Sequence, residues 1–222
     1  MARRRTAILI SGRGSNMAAL IEAAQQTDYP AEIALVLSNR ADAPGLARAE
    51  AATIKTAVLA SKGYASREAF DEALHAILTT ADIELVCLAG FMRVLSEPFV
   101  DAWRDRLINI HPSLLPLFPG LDTHARALEA GVRIHGCTVH FVRADVDRGP
   151  IVAQAAVPVL SADTEETLAA RVLAAEHRIY PLALSLVAAG KARVTDERVL
   201  FDDADTEVPA ESVISPALAA DR

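Results

Sequence analysis

Cysteine, aromatic residues and positive charge are all scarce in this chain. Its 222 residues include two cysteines, and aromatics make up 5%. Cys87 and Cys137 cannot form the framework of a disulfide-built secreted domain. Each lies inside an apolar run and reads as a buried free thiol of a reducing compartment. The formal net charge of −7 argues against a broad nucleic-acid footprint, which needs a basic face. The short basic start at Arg3–Arg5 reads as a solvated tail. No apolar run is long enough to span a bilayer. Thr6–Ser11 is only strand-length, so no secretory signal is read and the cytoplasm is the expected compartment.

Several catalytic signatures are missing too. The six histidines are His75, His111, His124, His135, His140 and His177. None forms an HExxH pair, and the cysteines are not spaced for zinc, so no metal site is expected. His135 and His140 are five apart in an expected strand, and an odd separation puts them on opposite faces. There is no GxSxG elbow for a serine hydrolase. Ser113 follows His111 too closely, in a Pro-flanked loop, to be activated by it.

What is present is a chain built on Ala, Val and Leu, with 52% hydrophobic residues, long enough to bury a substantial core. Continuous apolar runs at Thr6–Ser11, Glu32–Leu37, Ile54–Leu59, Ile83–Ala89 and Leu107–Ile110 read as strands covered on both faces. Helical patterns alternate with them at Met17–Gln26, Pro44–Ala52, Ser66–Leu78 and Pro98–Trp103. This alternation predicts an α/β fold with a parallel sheet and right-handed crossovers. After a helix at Asp122–Ala130, strands at Ile134–Arg143 and Ile151–Val159 flank a short loop and predict an antiparallel hairpin. Glu165–Ala189 is the longest helical pattern. Asp163 or Thr164 is its expected N-cap, with Glu166 as partner to Asp163. A small hairpin is expected over Arg193–Phe201. With no repeat and no linker, residues 1–222 read as one domain. Its core spans about 6–190, and a loosely ordered tail spans about 203–222.

Three stretches carry chemistry. Gly12-Arg13-Gly14-Ser15-Asn16 joins a strand to a helix start. Backbone N–H groups freed by glycine, at a helix N-terminus, make an anion cradle. The spacing fits neither the dinucleotide fingerprint nor the P-loop, and a phosphate monoester suits it; the plainer reading is a tight turn with Ser15 or Asn16 as cap. Gly90–Leu95 places an aromatic, Met92, Arg93, Val94 and Leu95 after a strand, as an apolar pocket with one charged contact would. Asn109 and His111 stand two residues apart where a buried strand meets Pro112, which bars further pairing. Ala144–Pro150 then supplies Asp145 and Asp147. An amide, an imidazole and one of these carboxylates, with no strong nucleophile, suit direct acyl transfer between two bound substrates.

Those stretches, GRGSN, AGFMRVL, NIHPSLLP, GCTVHFV and DRGP in chain order, resemble the formyltransferases that use 10-formyltetrahydrofolate. The similarity runs from about Thr6 to Gly190 and is greatest to the branch that formylates glycinamide ribonucleotide in purine synthesis. It implies a Rossmann-like formyltransferase fold, a mostly parallel sheet with a C-terminal antiparallel extension. It also implies direct transfer with no covalent enzyme intermediate. The resemblance makes Asn109, His111 and Asp147 the catalytic set, which selects Asp147 over Asp145. It assigns Gly14, Ser15 and Asn16 to the acceptor phosphate and Glu176 to its ribose. From its residues alone Glu176 reads as a solvated helix carboxylate. Arg67, Met92, Arg93, Val94, Leu95, Val142, Arg143 and Asp147 are implied folate contacts, with Thr138 and His140 in support. The implied partners are small molecules, glycinamide ribonucleotide and 10-formyltetrahydrofolate as co-substrate, with no nucleic acid, membrane or metal and a monomeric or homodimeric state. The resemblance leaves two other readings, a formyltetrahydrofolate hydrolase and a non-catalytic folate or phosphate binder of the same fold.

Overall fold

The computed structural model of the protein describes residues 2–201. The expectation of a loose tail over 203–222 lies outside the described residues. Strands and helices alternate from the start: β1 (Arg4–Ile10), α1 (Ser15–Ala24), β2 (Ala31–Ser38), α2 (Pro44–Ala51), β3 (Thr56–Val58), α3 (Arg67–Thr80), β4 (Leu85–Leu88), α4 (Glu97–Ala102) and β5 (Leu107–His111). They continue as α5 (Thr123–Glu129), β6 (Ile134–Phe141), β7 (Ile151–Pro158), α6 (Glu165–Ala188), β8 (Ala192–Thr195) and β9 (Arg198–Phe201). One seven-stranded sheet has the order β3-β2-β1-β4-β5-β6-β7. Its pairs are parallel from β3 to β5 and antiparallel at β5–β6 and β6–β7. The separate β8–β9 hairpin is antiparallel.

The apolar runs explain this sheet. Ile8 and Ile10 of β1 join Met17, Leu20, Leu168, Val172 and Leu184 in one core cluster, which holds α1 and α6 on one face. Ala7 and Leu9, pointing the other way, join Phe70, Leu74, Leu78, Phe99 and Trp103 of the α3–α4 layer. A strand buried on both faces needs apolar residues at every position, which is why β1 reads as a run rather than an alternation. Among the described residues no helix is long and apolar enough to cross a membrane. Cys87 and Cys137 are buried and free.

The structure moves some expected boundaries. Arg3–Arg5 is no solvated tail. Arg4 and Arg5 open β1, where Arg4 pairs with Glu84 at 3.1 Å and Arg5 with Glu32 at 2.8 Å, and Arg3 donates to the carbonyls of Ala24 and Ala31. Pairing with acidic residues of the neighbouring chain segments explains why Arg4 and Arg5 can open an interior strand. At α6 the cap is Thr164, whose box partner is Thr167 and not Glu166. Asp163 is taken up by Arg171 at 2.7 Å. On α1 the N-cap is Gly14, with φ 69° and no side-chain cap bond, so neither Ser15 nor Asn16 fills that role.

Candidate active site

The sheet order brings the three chemical stretches to one edge. β1, β4 and β5 run parallel and adjacent, so the loops leaving their carboxyl ends lie side by side. Gly12, just past β1, and Asn109 on β5 thus belong to strands two steps apart, about 10 Å across the sheet.

The first loop is the cradle. Gly14 takes the left-handed conformation that turns the chain into α1, which a side chain would resist. Gly45, on α2, was not singled out by its sequence surroundings. Its N–H bonds the Gly12 carbonyl at 3.0 Å, and a Cβ there would lie 2.5 Å from Ile10 Cδ1 and 3.4 Å from Gly14 Cα. Helix-to-loop contact this close is possible only without a side chain. Ser11 ties the cradle to its neighbours. Its hydroxyl donates to Asn39 Oδ1 at 2.6 Å and accepts from Met92 N–H at 2.8 Å, while its own N–H bonds the Gly90 carbonyl. An open cleft bounded by Gly12–Asn16, Asn39, Arg40 and Gly90 results. Asn39 and Arg40 follow a strand in an unremarkable polar turn, and only topology places them here.

Asn16 donates to Glu176 Oε2 at 2.7 Å across 160 residues. Glu176 is 6% exposed, so the solvated helix carboxylate expected from its residues is instead buried under the cradle. Burial pushes its carboxyl pKa up, and the Asn16 bond only partly opposes this. A long helix hides which of its faces is covered until its partner helix is known.

The second loop leaves Met92 70% and Val94 54% exposed, with Leu95 buried. Two apolar side chains bared beside a polar cleft are what a flat apolar ligand would cover. The Arg93 guanidinium stacks on Phe70 at 3.9 Å. Arg67, one turn before Phe70 on α3, is half exposed and sits 3.5 Å from Glu68.

The third loop carries the titratable set. Asn109 is paired with His140 and His111 with Thr138 across β5–β6, so all four side chains share one sheet face. Asn109 Nδ2 lies 3.3 Å from His140 Nε2, and His140 Nδ1 lies 2.9 Å from the Phe141 carbonyl. The second contact fixes a proton on Nδ1; in the neutral ring Nε2 accepts from the amide, and in the charged ring it donates toward Asp147. His111 Nδ1 is 3.3 Å and His140 Nε2 is 3.6 Å from the two oxygens of Asp147. Asp147 also accepts from Gly120 N–H at 2.8 Å. Burial pushes the Asp147 carboxyl up, but His140, Gly120 and the charge of His111 outweigh it and hold the group below its ordinary value. Burial pulls His111 down, and the Phe118 carbonyl and Asp147 offset this only in part. Asp145 makes no such contact, so the two loop acids are separated by geometry.

Thr138 does not face the cleft chemistry directly. Its hydroxyl donates to the Ser113 carbonyl at 2.7 Å and accepts from Leu115 N–H at 3.0 Å. Ser113 donates to the Leu117 carbonyl at 2.6 Å, next to a cis Leu115–Pro116 bond. These bonds shape the loop after His111 so that the Phe118 carbonyl reaches His111 Nε2 at 3.0 Å. Phe118 was not foreseen as part of the site, since a backbone carbonyl has no sequence signal. Val142 starts the loop that carries Asp147, its N–H bonded to the Leu107 carbonyl. Arg143 points away from the cleft, to Asp105 and Glu197. Asp147 itself sits at φ 56°. His135 and His140 do not meet: the His135 ring packs on His124 and Phe118.

Residues 4–184 match the family described as "Formyl transferase". The chain belongs to the formyl transferase family. Membership implies a folate-type formyl donor and small-molecule substrates. The chain is 47% identical to phosphoribosylglycinamide formyltransferase of Escherichia coli (strain K12), covering 88% of this chain and 92% of that protein. It is 60% identical to the crystal structure of phosphoribosylglycinamide formyltransferase from Brucella melitensis, with a TM-score of 0.81, covering 85% of this chain and 97% of that one. It is also 53% identical to the trifunctional purine biosynthetic protein adenosine-3 of Gallus gallus over 86% of this chain. The chain spans 19% of that trifunctional protein's length.

Proposed function

We propose that the protein transfers the formyl group of 10-formyltetrahydrofolate to the amine of glycinamide ribonucleotide, in purine synthesis. One observation carries the reading. A His111–Asp147 pair and an Asn109 amide converge on one sheet face, two strands from a Gly-rich anion cradle. The names of the relatives supply the acceptor and the formyl transfer, and the family supports a folate-type donor.

The acceptor's phosphate lies against the backbone N–H groups at Gly14–Asn16, where the α1 terminus favours negative charge. Buried Glu176 takes the ribose hydroxyls. The folate lies over Met92, Val94 and Leu95, with Val142–Asp147 above it and Arg67 and Arg93 toward its anionic end. The acceptor amine then attacks the formyl carbon, and the carbonyl oxygen becomes an oxyanion. One Asn109 N–H is used by His140, and the other donates to that oxygen. His111 as imidazolium gives a second donor, its charge held by Asp147. The C–N bond to the folate breaks as its nitrogen gains a proton and the amine loses one. No covalent enzyme intermediate is needed, in keeping with a site that lacks a nucleophile.

Purified protein with 10-formyltetrahydrofolate, acceptor supplied or withheld, tests this. Tetrahydrofolate release that requires acceptor is the expected result. Release without acceptor would make the protein a hydrolase, and ligand binding without turnover would make it a binding protein. We place it in the cytoplasm as one domain with no resident metal, acting as a monomer or homodimer.

A further inference from the structure

Arg143 sits where a folate contact was expected, yet its own chain uses every nitrogen of its guanidinium. Nη2 bonds Asp105 at 2.6 Å, Nε bonds Glu197 at 2.7 Å and Nη1 bonds the Val142 carbonyl at 3.1 Å. The side chain is only 11% exposed. Three of its five N–H donors are thus taken within the chain. Its two acids come from opposite sides. Asp105 lies in the turn entering β5, and Glu197 lies in the turn between β8 and β9. Glu197 is also held by Arg104. Asp196 and Glu197 both have positive φ, at 49° and 56°, the two-residue hairpin turn that matches strand twist. Asp105 has φ 56° as well. Arg143 thus engages one left-handed residue of each turn, Asp105 and Glu197.

The position matters. Arg143 stands at the neck of the loop between β6 and β7. Phe141 N–H bonds the Pro150 carbonyl at 2.8 Å, and a Cβ on Gly149 would lie 1.7 Å from Phe141 O. The neck is therefore closed tightly, at the amino end of β5. Asp147, four residues past Arg143, reaches back to His111 at the other end of that strand. An error in the angle of the neck is carried to Asp147.

We propose that Arg143 is a positioning residue, and that the β8–β9 hairpin, through Glu197, holds the Asp147 loop at its working angle over the folate site. The hairpin lies beyond residues 4–184 matched by the family model, so it braces that core from outside the matched stretch. The catalytic consequence rests on the function proposed above, while the mechanical one does not.

The test uses the full chain with Glu197→Gln, Arg143→Ala and the double variant, and Asp105→Asn as an independent cut at the other anchor. In the free protein, amide exchange at residues 144–148 should quicken in Glu197→Gln by about two- to fivefold, the range spanned by partly exposed ion pairs. KM for 10-formyltetrahydrofolate should rise by a similar factor, about two- to fivefold, with the acceptor KM unchanged. Arg143→Ala should do more than Glu197→Gln, and the double variant no more than Arg143→Ala, as residues of one network do. Unchanged loop exchange in both Glu197→Gln and Asp105→Asn would overturn the proposal. So would full additivity, with Arg143→Ala raising the folate KM while leaving loop exchange alone, since that marks a ligand contact. If the wild-type protein transferred no formyl group, the function would fall, and the exchange data would still decide the tether.

Discussion

Acid should weaken this protein through one histidine more than through its neighbours. His135 is 1% exposed on β6, with its ring against His124 and Phe118 and its Nε2 without a partner. Burial, then the charge of His124, bring its pKa from 6.5 to about 4, against a smaller opposing effect of a bond to Pro112. The folded state therefore keeps the ring neutral, and the unfolded chain takes up a proton below its ordinary value. Stability from this group is complete above pH 6.5, falls as pH falls, and levels off below about 4. At about 1.4 kcal/mol per unit, the whole effect is about 3 kcal/mol, of which about 2 kcal/mol is lost between pH 7 and pH 5. His111, His124 and His177 are displaced in the same direction by burial, so wild type loses more than this single share. His135→Asn keeps a donor for Pro112 and removes the titration. Urea unfolding of both proteins at pH 7 and pH 5 reads the difference of differences. The variant should lose about 2 kcal/mol less than wild type over that interval. Equal losses would refute the assignment, whatever the variant costs at pH 7 by its smaller volume.

The other perturbations act on the proposed site. Asp147→Asn keeps an acceptor for Gly120 but removes the charge facing His111. Steady-state kcat should fall by about 10²–10⁴, with acceptor KM little changed. Glu176→Gln preserves a partner for Asn16 and removes a buried charge, so acceptor KM should rise about ten- to hundredfold, the worth of hydrogen bonds to a charged group. The folate KM should stay as it was. Gly149→Ala forces a methyl against the Phe141 carbonyl. Thermal denaturation should show a loss of about 1–3 kcal/mol, with weaker folate binding because the Asp147 loop is displaced.

How far the sequence could be read depended on what each feature requires of its surroundings. The parallel strands were readable because burial on both faces demands runs such as Ala7–Ile10. The β6–β7 hairpin followed from two such runs with a short connection. Asn109 and His111 were visible as polar residues interrupting a strand before proline. Capping was harder. Asp163, Thr164, Glu166 and Thr167 all fit a helix start locally, and Arg171, about two turns past Asp163, decided which of them was free to cap. Glu176, Asn39 and Gly45 were hidden for a related reason. Each acquires its role from an element remote in sequence, and a helix pattern shows its apolar stripe but not what lies beneath its polar face. Arg143 shows the reverse error. A basic residue in a folate-facing loop suggested a ligand, and two acids from distant turns had already engaged it.

His111 has an acceptor at each ring nitrogen, Asp147 at Nδ1 and the Phe118 carbonyl at Nε2. A neutral imidazole has one N–H, so one of those contacts must set a lone pair against an oxygen. The imidazolium satisfies both but carries a charge into a buried place, and burial is the larger effect. Neither form is fully accommodated, and a group so balanced changes protonation for a small change in its surroundings. On the proposed reaction that change is supplied by the oxyanion. It attracts the charged ring, and it offers Nε2 an acceptor better than a neutral carbonyl. Nε2 would then exchange Phe118 for the developing negative charge, while Asp147 keeps Nδ1 in place. The carbonyl of Phe118 thus holds the ring near its working orientation between turnovers. Thr138 and Ser113, by shaping the loop that presents that carbonyl, act on the chemistry without touching it.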